Sequence, residues 1–273
     1  MKESKKRYVE AMRMLKLTSR TFYIPITLLE PTLKKTVASA YLCMRAIDEI
    51  EDHEDLEPAT KDYLLQETSS LLKHPFDHKA YLQLISPYSH QLPEVTLKLG
   101  DWITFCPSGI VNKVQESTSI MADGMSKWAR KDWHIKSKED LNDYTYYVAG
   151  LVGVMLSDIW EWRDGTKTDR DLAIAYGRGL QTVNILRNQQ EDLERGVTFL
   201  PYGWDTDDLF HYAEKNLALG DQYMKDIDSR SVLLFCKVPL ALAKKTLQAM
   251  KNGREKMSRS QVESTVEEIK KSI

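Results

Sequence analysis

Residues 37–52 read VASAYLCMRAIDEIED. The first part is almost entirely apolar or small, and the last five residues hold four carboxylates, Asp48, Glu49, Glu51 and Asp52. No alternation of period two is present, so the stretch reads as a helix that starts near Pro31 and runs past Asp48. On a helix, Asp48 and Asp52 stand four residues apart and share a face, with Arg45 one turn earlier. Acids so close together repel one another unless water or a cation relieves them. Mg²⁺ takes oxygen ligands, commonly one or two carboxylates together with phosphate oxygens. A solvated acidic helix end is the plainer alternative, because His53, Glu54, Asp55 and Glu57 continue the charge. The core-like lead-in from Val37 to Ile47 favours a site.

Outward from that helix the pattern repeats. Helical periodicity predicts elements over 2–16, 59–73, 92–105, 110–131, 138–161, 169–194, 206–227, 231–252 and 258–271. Loops are expected at Ser86–Pro93, Arg163–Thr168 and Gly196–Asp205. Twelve glycines and nine prolines in 273 residues leave few breaks. No strand pattern, internal repeat or Pro/Gly/Ser linker appears, so an all-α single domain over 1–273 is the expectation. The net charge of −2 supplies no basic field for nucleic acid. Cys43, Cys106 and Cys236 are odd in number and far apart, as expected for free thiols in a reducing compartment. The charged N-terminus lacks a signal-peptide core. The longest uncharged run, Tyr144 to Ser157, is too short to span a bilayer. A cytoplasmic location follows as the expectation. The sequence carries no signal for an oligomeric state.

Three further segments carry polar or unusual chemistry. In QTVNILRNQQEDLERG, residues 181–196, Asn184, Asn188 and Asp192 recur every four residues and form one ridge of oxygen donors. Arg187 adds a fork suited to phosphate. An exposed polar helix face is the competing reading. In YTYYVAGLVGVMLS, residues 144–157, Ala149, Gly153 and Ser157 share a face. Two glycines inside a helix cost roughly 1 kcal/mol each relative to alanine. Either close helix packing or an apolar tunnel would explain them. In SRTFY, residues 19–23, the hydroxyls and Arg20 can hold a phosphate or cap a helix. His74 and His78 have metal-ligand spacing, but Pro75 interrupts any regular turn between them. No nucleophilic triad and no glycine-rich nucleotide loop is present.

These four segments, in this order, resemble the squalene/phytoene synthase family. The resemblance rests on Ser19-Arg20-Thr21-Phe22, on Tyr41 to Asp52, on Tyr144 to Gly153, and on Asn184 to Asp192 with Phe199-Leu200-Pro201. It covers about residues 15–205 and implies an all-α isoprenoid-synthase (class I terpenoid synthase) bundle with a central cavity. It also implies a prenyl diphosphate substrate held through Mg²⁺. By the same resemblance, Asp48 and Asp52 form the first metal pair, and Asn188, Glu191 and Asp192 form the second metal motif. Arg45, Arg187 and Arg20 would hold diphosphate, with Ser19 beside them. Tyr41 and Tyr144 would line the reaction centre. Phe22, Val148, Ala149, Val152 and Gly153 would line the prenyl tunnel, and Gln181 and Asn184 would lie beside the second motif. A lipid substrate keeps peripheral contact with a membrane open.

One position departs from the family pattern. The second motif ordinarily begins with Asp, and here the residue is Asn188, which keeps an oxygen donor and loses the charge. Joining two prenyl diphosphates head to head requires two diphosphates to be neutralised together, so a weakened motif harms that step most. A single diphosphate ionised at Asp48 and Asp52 leaves an allylic cation that water can capture. The sequence therefore predicts hydrolysis of farnesyl diphosphate to farnesol. The alternative is head-to-head condensation to squalene, dehydrosqualene or phytoene. A third reading, a non-catalytic isoprenoid-binding protein, gives no reason to concentrate four acids beside Arg45.

Overall fold

The computed structural model describes residues 2–19, 21–194, 196–253 and 259–272. In chain order the helices are α1 (Lys2–Thr18), α2 (Tyr23–Leu28), α3 (Pro31–Glu51), α4 (Pro58–Leu72), α5 (His78–Ile85), α6 (Glu94–Leu97), α7 (Leu99–Phe105) and α8 (Val111–Ala129). They continue as α9 (Lys138–Thr145), α10 (Leu151–Asp164), α11 (Arg170–Glu194), α12 (Thr206–Tyr223), α13 (Arg230–Lys251) and α14 (Arg259–Ser272). Among the described residues there is no strand. The chain falls into two compact units, Met1–Tyr23 with Pro31–Asp132, and Ile24–Glu30 with Trp133–Ile273.

In the first unit α3 is the central element, in contact with α1, α4, α6, α7 and α8. Its apolar lead-in is the reason: Val37, Ala38, Ala40, Leu42, Cys43, Ala46 and Ile47 are all buried. Each large aliphatic side chain removed from water contributes roughly 1.5–3 kcal/mol. Small polar groups tie the packing. Ser39 Oγ donates to the carbonyl of Trp102 at 2.7 Å, and Thr96 Oγ1 donates to that of Ala46 at 3.0 Å.

In the second unit α11 packs on α10, α12 and α13. The approach to α10 is close because both helices carry glycine at the crossing. A Cβ placed on Gly153 of α10 would lie 2.3 Å from the carbonyl oxygen of Ala173, and one on Gly177 of α11 would lie 2.3 Å from that of Ala149, just before α10. Capping sets the starts of the flanking helices. Ser137 with Asp140 opens α9, and Asp205 with Asp208 opens α12, each as a reciprocal capping box. Gly165, at φ 80°, ends α10.

Four details differ from the sequence reading. The expected helix over 92–105 is two helices divided at Lys98, where φ is −103° and ψ 18°. There the carbonyl of Val95 receives the indole N–H of Trp102 at 2.8 Å, where a straight helix would use the amide of Leu99. Two short helices, α2 and α5, were not expected. Asp77 caps α5 through the amide of Ala80 at 3.0 Å, just beyond the irregular His74-Pro75 segment. The expected loop at Arg163–Thr168 begins later, because α10 runs through Asp164. Finally, 138–161 is not one regular helix. A π-helical turn over Tyr146–Gly150 joins α9 to α10, with the amide of Leu151 donating to the carbonyl of Tyr146.

Candidate active site

The C-terminal end of α3 gathers the acids. Ligand oxygens of Asp48, Glu51 and Asp52 lie within 4.8 Å of one another. Among the described residues no other group of three His, Cys, Asp or Glu is brought together in this way. The helix continues far enough to present them, since the amide of Asp52 still donates to the carbonyl of Asp48 at 2.8 Å. Glu51 is buried, Asp48 half-buried and Asp52 exposed. Glu51 was absent from the expected ligand set, which took only the i, i+4 pair. Its place three residues after Asp48 puts it on the same face, and that spacing was the available signal.

Arg45 neutralises part of this charge. It pairs with Asp48, and its Nε and Nη2 donate to Glu49 at 2.9 and 2.6 Å. Glu49 therefore turns to the arginine while Glu51 joins the cluster. Burial, followed by the negative charge of Asp52, pushes the Asp48 carboxyl up to about 7, against the opposing pull of Arg45. Burial works to lower the Arg45 pKa, but the charges of Asp48 and Glu49 together raise it. Three carboxylates held close, one of them reluctant to ionise alone, form a hard-oxygen donor set that suits Mg²⁺.

In the same unit Tyr41 lies one turn before Arg45. Its hydroxyl donates to the carbonyl of Thr18 at 2.9 Å, and its ring tilts against Phe22 with centroids 6.3 Å apart. Burial raises its pKa. Ser19 is buried and its Oγ accepts the amide of Phe22 at 2.9 Å, so the hydroxyl acts as a cap at the entry to α2. Arg20 lies outside the described residues.

The second motif occupies the end of α11 in the other unit. The expected ridge descends from solvent inward: Asn184 is exposed, Asn188 half-buried and Asp192 buried, while Glu191 is exposed. Arg187 is exposed, and its Nε donates to Asn188 Oδ1 at 3.3 Å. Asn184 Nδ2 lies 3.5 Å from Gln181 Oε1, at the edge of hydrogen bonding. Asp192 borders a recess of about 10 Å³ with Ile185, Gln189, Val197, Phe199 and Leu209. That is room for no more than one water.

The segment before α10 presents its residues differently from a regular helix. Tyr144 is buried and stacked on Phe199, with centroids 4.8 Å apart and planes 25° apart. Val148 and Ala149 sit in the π-helical turn and are half-buried, as is Val152. Gly153 is taken up by packing, because a Cβ there would fall 2.3 Å from the carbonyl oxygen of Ala173. Of the two explanations for the glycines, the structure shows close helix packing at this one. No helix among the described residues is long and apolar enough to cross a membrane.

The squalene/phytoene synthase family matches residues 15–205. A squalene synthase of Dictyostelium discoideum is 30% identical over 269 residues, covering 88% of this chain and 63% of that protein. Squalene synthase 10 of Panax ginseng is 27% identical over 278 residues, covering 89% and 63%. The chain thus spans less than two thirds of the length of these curated relatives. Among solved structures, a dehydrosqualene synthase in complex with ligand superposes with a TM-score of 0.72 at 19% identity, over 99% of this chain and 98% of the other. A squalene synthase from Alicyclobacillus acidocaldarius gives 0.65 at 15% identity, over 93% and 96%. These likenesses establish the all-α isoprenoid-synthase fold. With more than half of its length matched by the family, the chain belongs to the squalene/phytoene synthase family.

Proposed function

We propose that this protein is an Mg²⁺-dependent enzyme that ionises prenyl diphosphates and joins two of them head to head. The observation that carries this reading is the gathering of Asp48, Glu51 and Asp52 at one helix end, in a chain of this family. The curated relatives are described as squalene synthases, which supports condensation over the hydrolysis that the sequence alone suggested.

Asp48, Glu51 and Asp52 would hold the metal, and Asn188, Glu191 and Asp192 form a separate set of oxygen donors in the second unit. Bound Mg²⁺ supplies charge neutralisation to the diphosphate oxygens as the carbon–oxygen bond breaks. Arg187 has one long bond to Asn188, which leaves most of its fork to grip phosphate oxygens. Arg45 sets the charge and orientation of Asp48. Tyr41 in the first unit and Tyr144 in the second each carry an aromatic ring that favours a carbocation brought against it. Val148, Ala149 and Val152 in the second unit, and separately Phe22 in the first, each offer half-buried apolar surface to a prenyl chain.

A second reading, hydrolysis of one prenyl diphosphate to its alcohol, is favoured by the unequal motifs. The first has three carboxylates gathered, whereas Asn188 makes the second less charged than its family counterpart. One experiment separates the two. Purified protein with Mg²⁺ is given farnesyl or geranylgeranyl diphosphate, and the products are identified by gas chromatography–mass spectrometry. A coupled hydrocarbon as the main product is expected. A prenyl alcohol with inorganic diphosphate as the main product would replace condensation by hydrolysis. No diphosphate release from either substrate would leave only a binding role.

A further inference from the structure

Lys61 is the fourth residue of α4 and is only 8% exposed. Two general preferences oppose a lysine there. An ammonium is almost never buried unless paired, and a cation is disfavoured in the first turn of a helix. Its neighbourhood supplies the compensation. Nζ donates at 2.7 Å to the carbonyl of Glu51, the last residue of α3. The final carbonyls of a helix lack internal donors and carry partial negative charge. The same helix end bears the three gathered carboxylates. Between Tyr41 and Asp52 the sequence has one cation, Arg45, against four acids, and Arg45 is engaged by Asp48 and Glu49. Glu51, at 4% exposure, is the acid of the cluster least relieved by water.

We propose that Lys61 is the built-in counter-ion of the acidic cluster: it pins the end of α3, offsets the cluster's charge before metal arrives, and thereby lowers the affinity for a divalent cation alone. This inference rests on the reading that the cluster holds Mg²⁺. Lys61 is a positioning residue here, acting through Glu51 and the helix end.

The test titrates the full chain with Mn²⁺, without any diphosphate, and follows the free ion by electron paramagnetic resonance. Lys61→Met is expected to bind Mn²⁺ tighter by about fivefold or more, since one opposing charge has been removed from a partly buried site. Its melting temperature without metal falls, and saturating Mn²⁺ recovers more of that loss than the same addition gives the wild type. Lys61→Gln keeps a donor for the Glu51 carbonyl without the charge, and should match the Met variant in metal affinity. It also carries the test should Lys61→Met fail to fold. Lys61→Arg should stay within about twofold of the wild type. Unchanged or weaker Mn²⁺ binding in the Met and Gln variants overturns the counter-ion role. Mn²⁺ binding indifferent to Asp48→Ala overturns the metal reading itself, a result distinct from failure at Lys61.

Discussion

Gly153 and Ala173 meet with no side chain between them, so that a Cβ on the glycine would fall 2.3 Å from the alanine's carbonyl oxygen. Gly177 returns the same contact to Ala149 at the same distance. The packing of α11 on α10 and on the π-helical turn before it thus depends on two missing methyl groups. Gly153→Ala gains helix propensity of roughly 1 kcal/mol. It also forces the helices apart, an overpacking cost of about 1–3 kcal/mol. The expected net result is a lower urea midpoint with an unchanged slope. An unchanged or higher midpoint would show that the crossing relaxes freely.

Loss of the first acidic cluster should stop the chemistry rather than the fold. Asp48→Ala removes one of three gathered oxygens and should lower diphosphate release by about 100-fold or more. EDTA should do the same to the wild type and have no additional effect on the variant. Circular dichroism serves as the control for folding. Release that is insensitive to both treatments would dismiss the metal-dependent reading.

The raised pKa of Asp48 gives stability a direction with pH. Its folded value of about 7 lies above the ordinary 3.8. Between those values the folded chain keeps a proton that the unfolded chain has released. The contribution is fully present below about pH 3.8 and is lost as pH rises through about 7. Arg45, Glu49, Glu51 and Asp52 surround the group, so Asp48→Asn isolates it best. Without metal, the variant's melting temperature should exceed that of the wild type increasingly from about pH 5 to about pH 8. Two parallel curves would mean that the carboxylate ionises without penalty.

Asn188 tests the choice between condensation and hydrolysis. Asn188→Asp restores a charge to the second motif and also gives Arg187 an ionic neighbour. The ratio of coupled hydrocarbon to prenyl alcohol should rise several-fold in product analysis. An identical ratio in both proteins would show that the neutral side chain does not set the outcome.

Much of the fold was legible because periodicity is a local property. α3, α8 and α11 show as long runs of apolar residues at helical spacing, and the loop expected at Gly196–Asp205 ends where α12 begins. The division at Lys98 was not legible, because it depends on the indole of Trp102 reaching back to Val95. The π-helical turn was hidden for a similar reason: a single added residue in the hydrogen-bond ladder leaves the hydrophobic pattern nearly intact. At the acidic site, spacing identified Asp48 and Asp52. The same spacing carried the signal for Glu51, three residues after Asp48, whereas Glu49 is drawn to Arg45.

By itself the sequence determined the helical class, the acidic end of α3 and the family that these motifs resemble, since each is written in short-range spacing. Tertiary structure decided how far each carboxylate is withdrawn from water, why Gly153 must lack a side chain, and that a buried lysine answers the end of α3. Those outcomes depend on groups from different helices meeting at fixed distances, and helical spacing within one element carries no record of what packs against it.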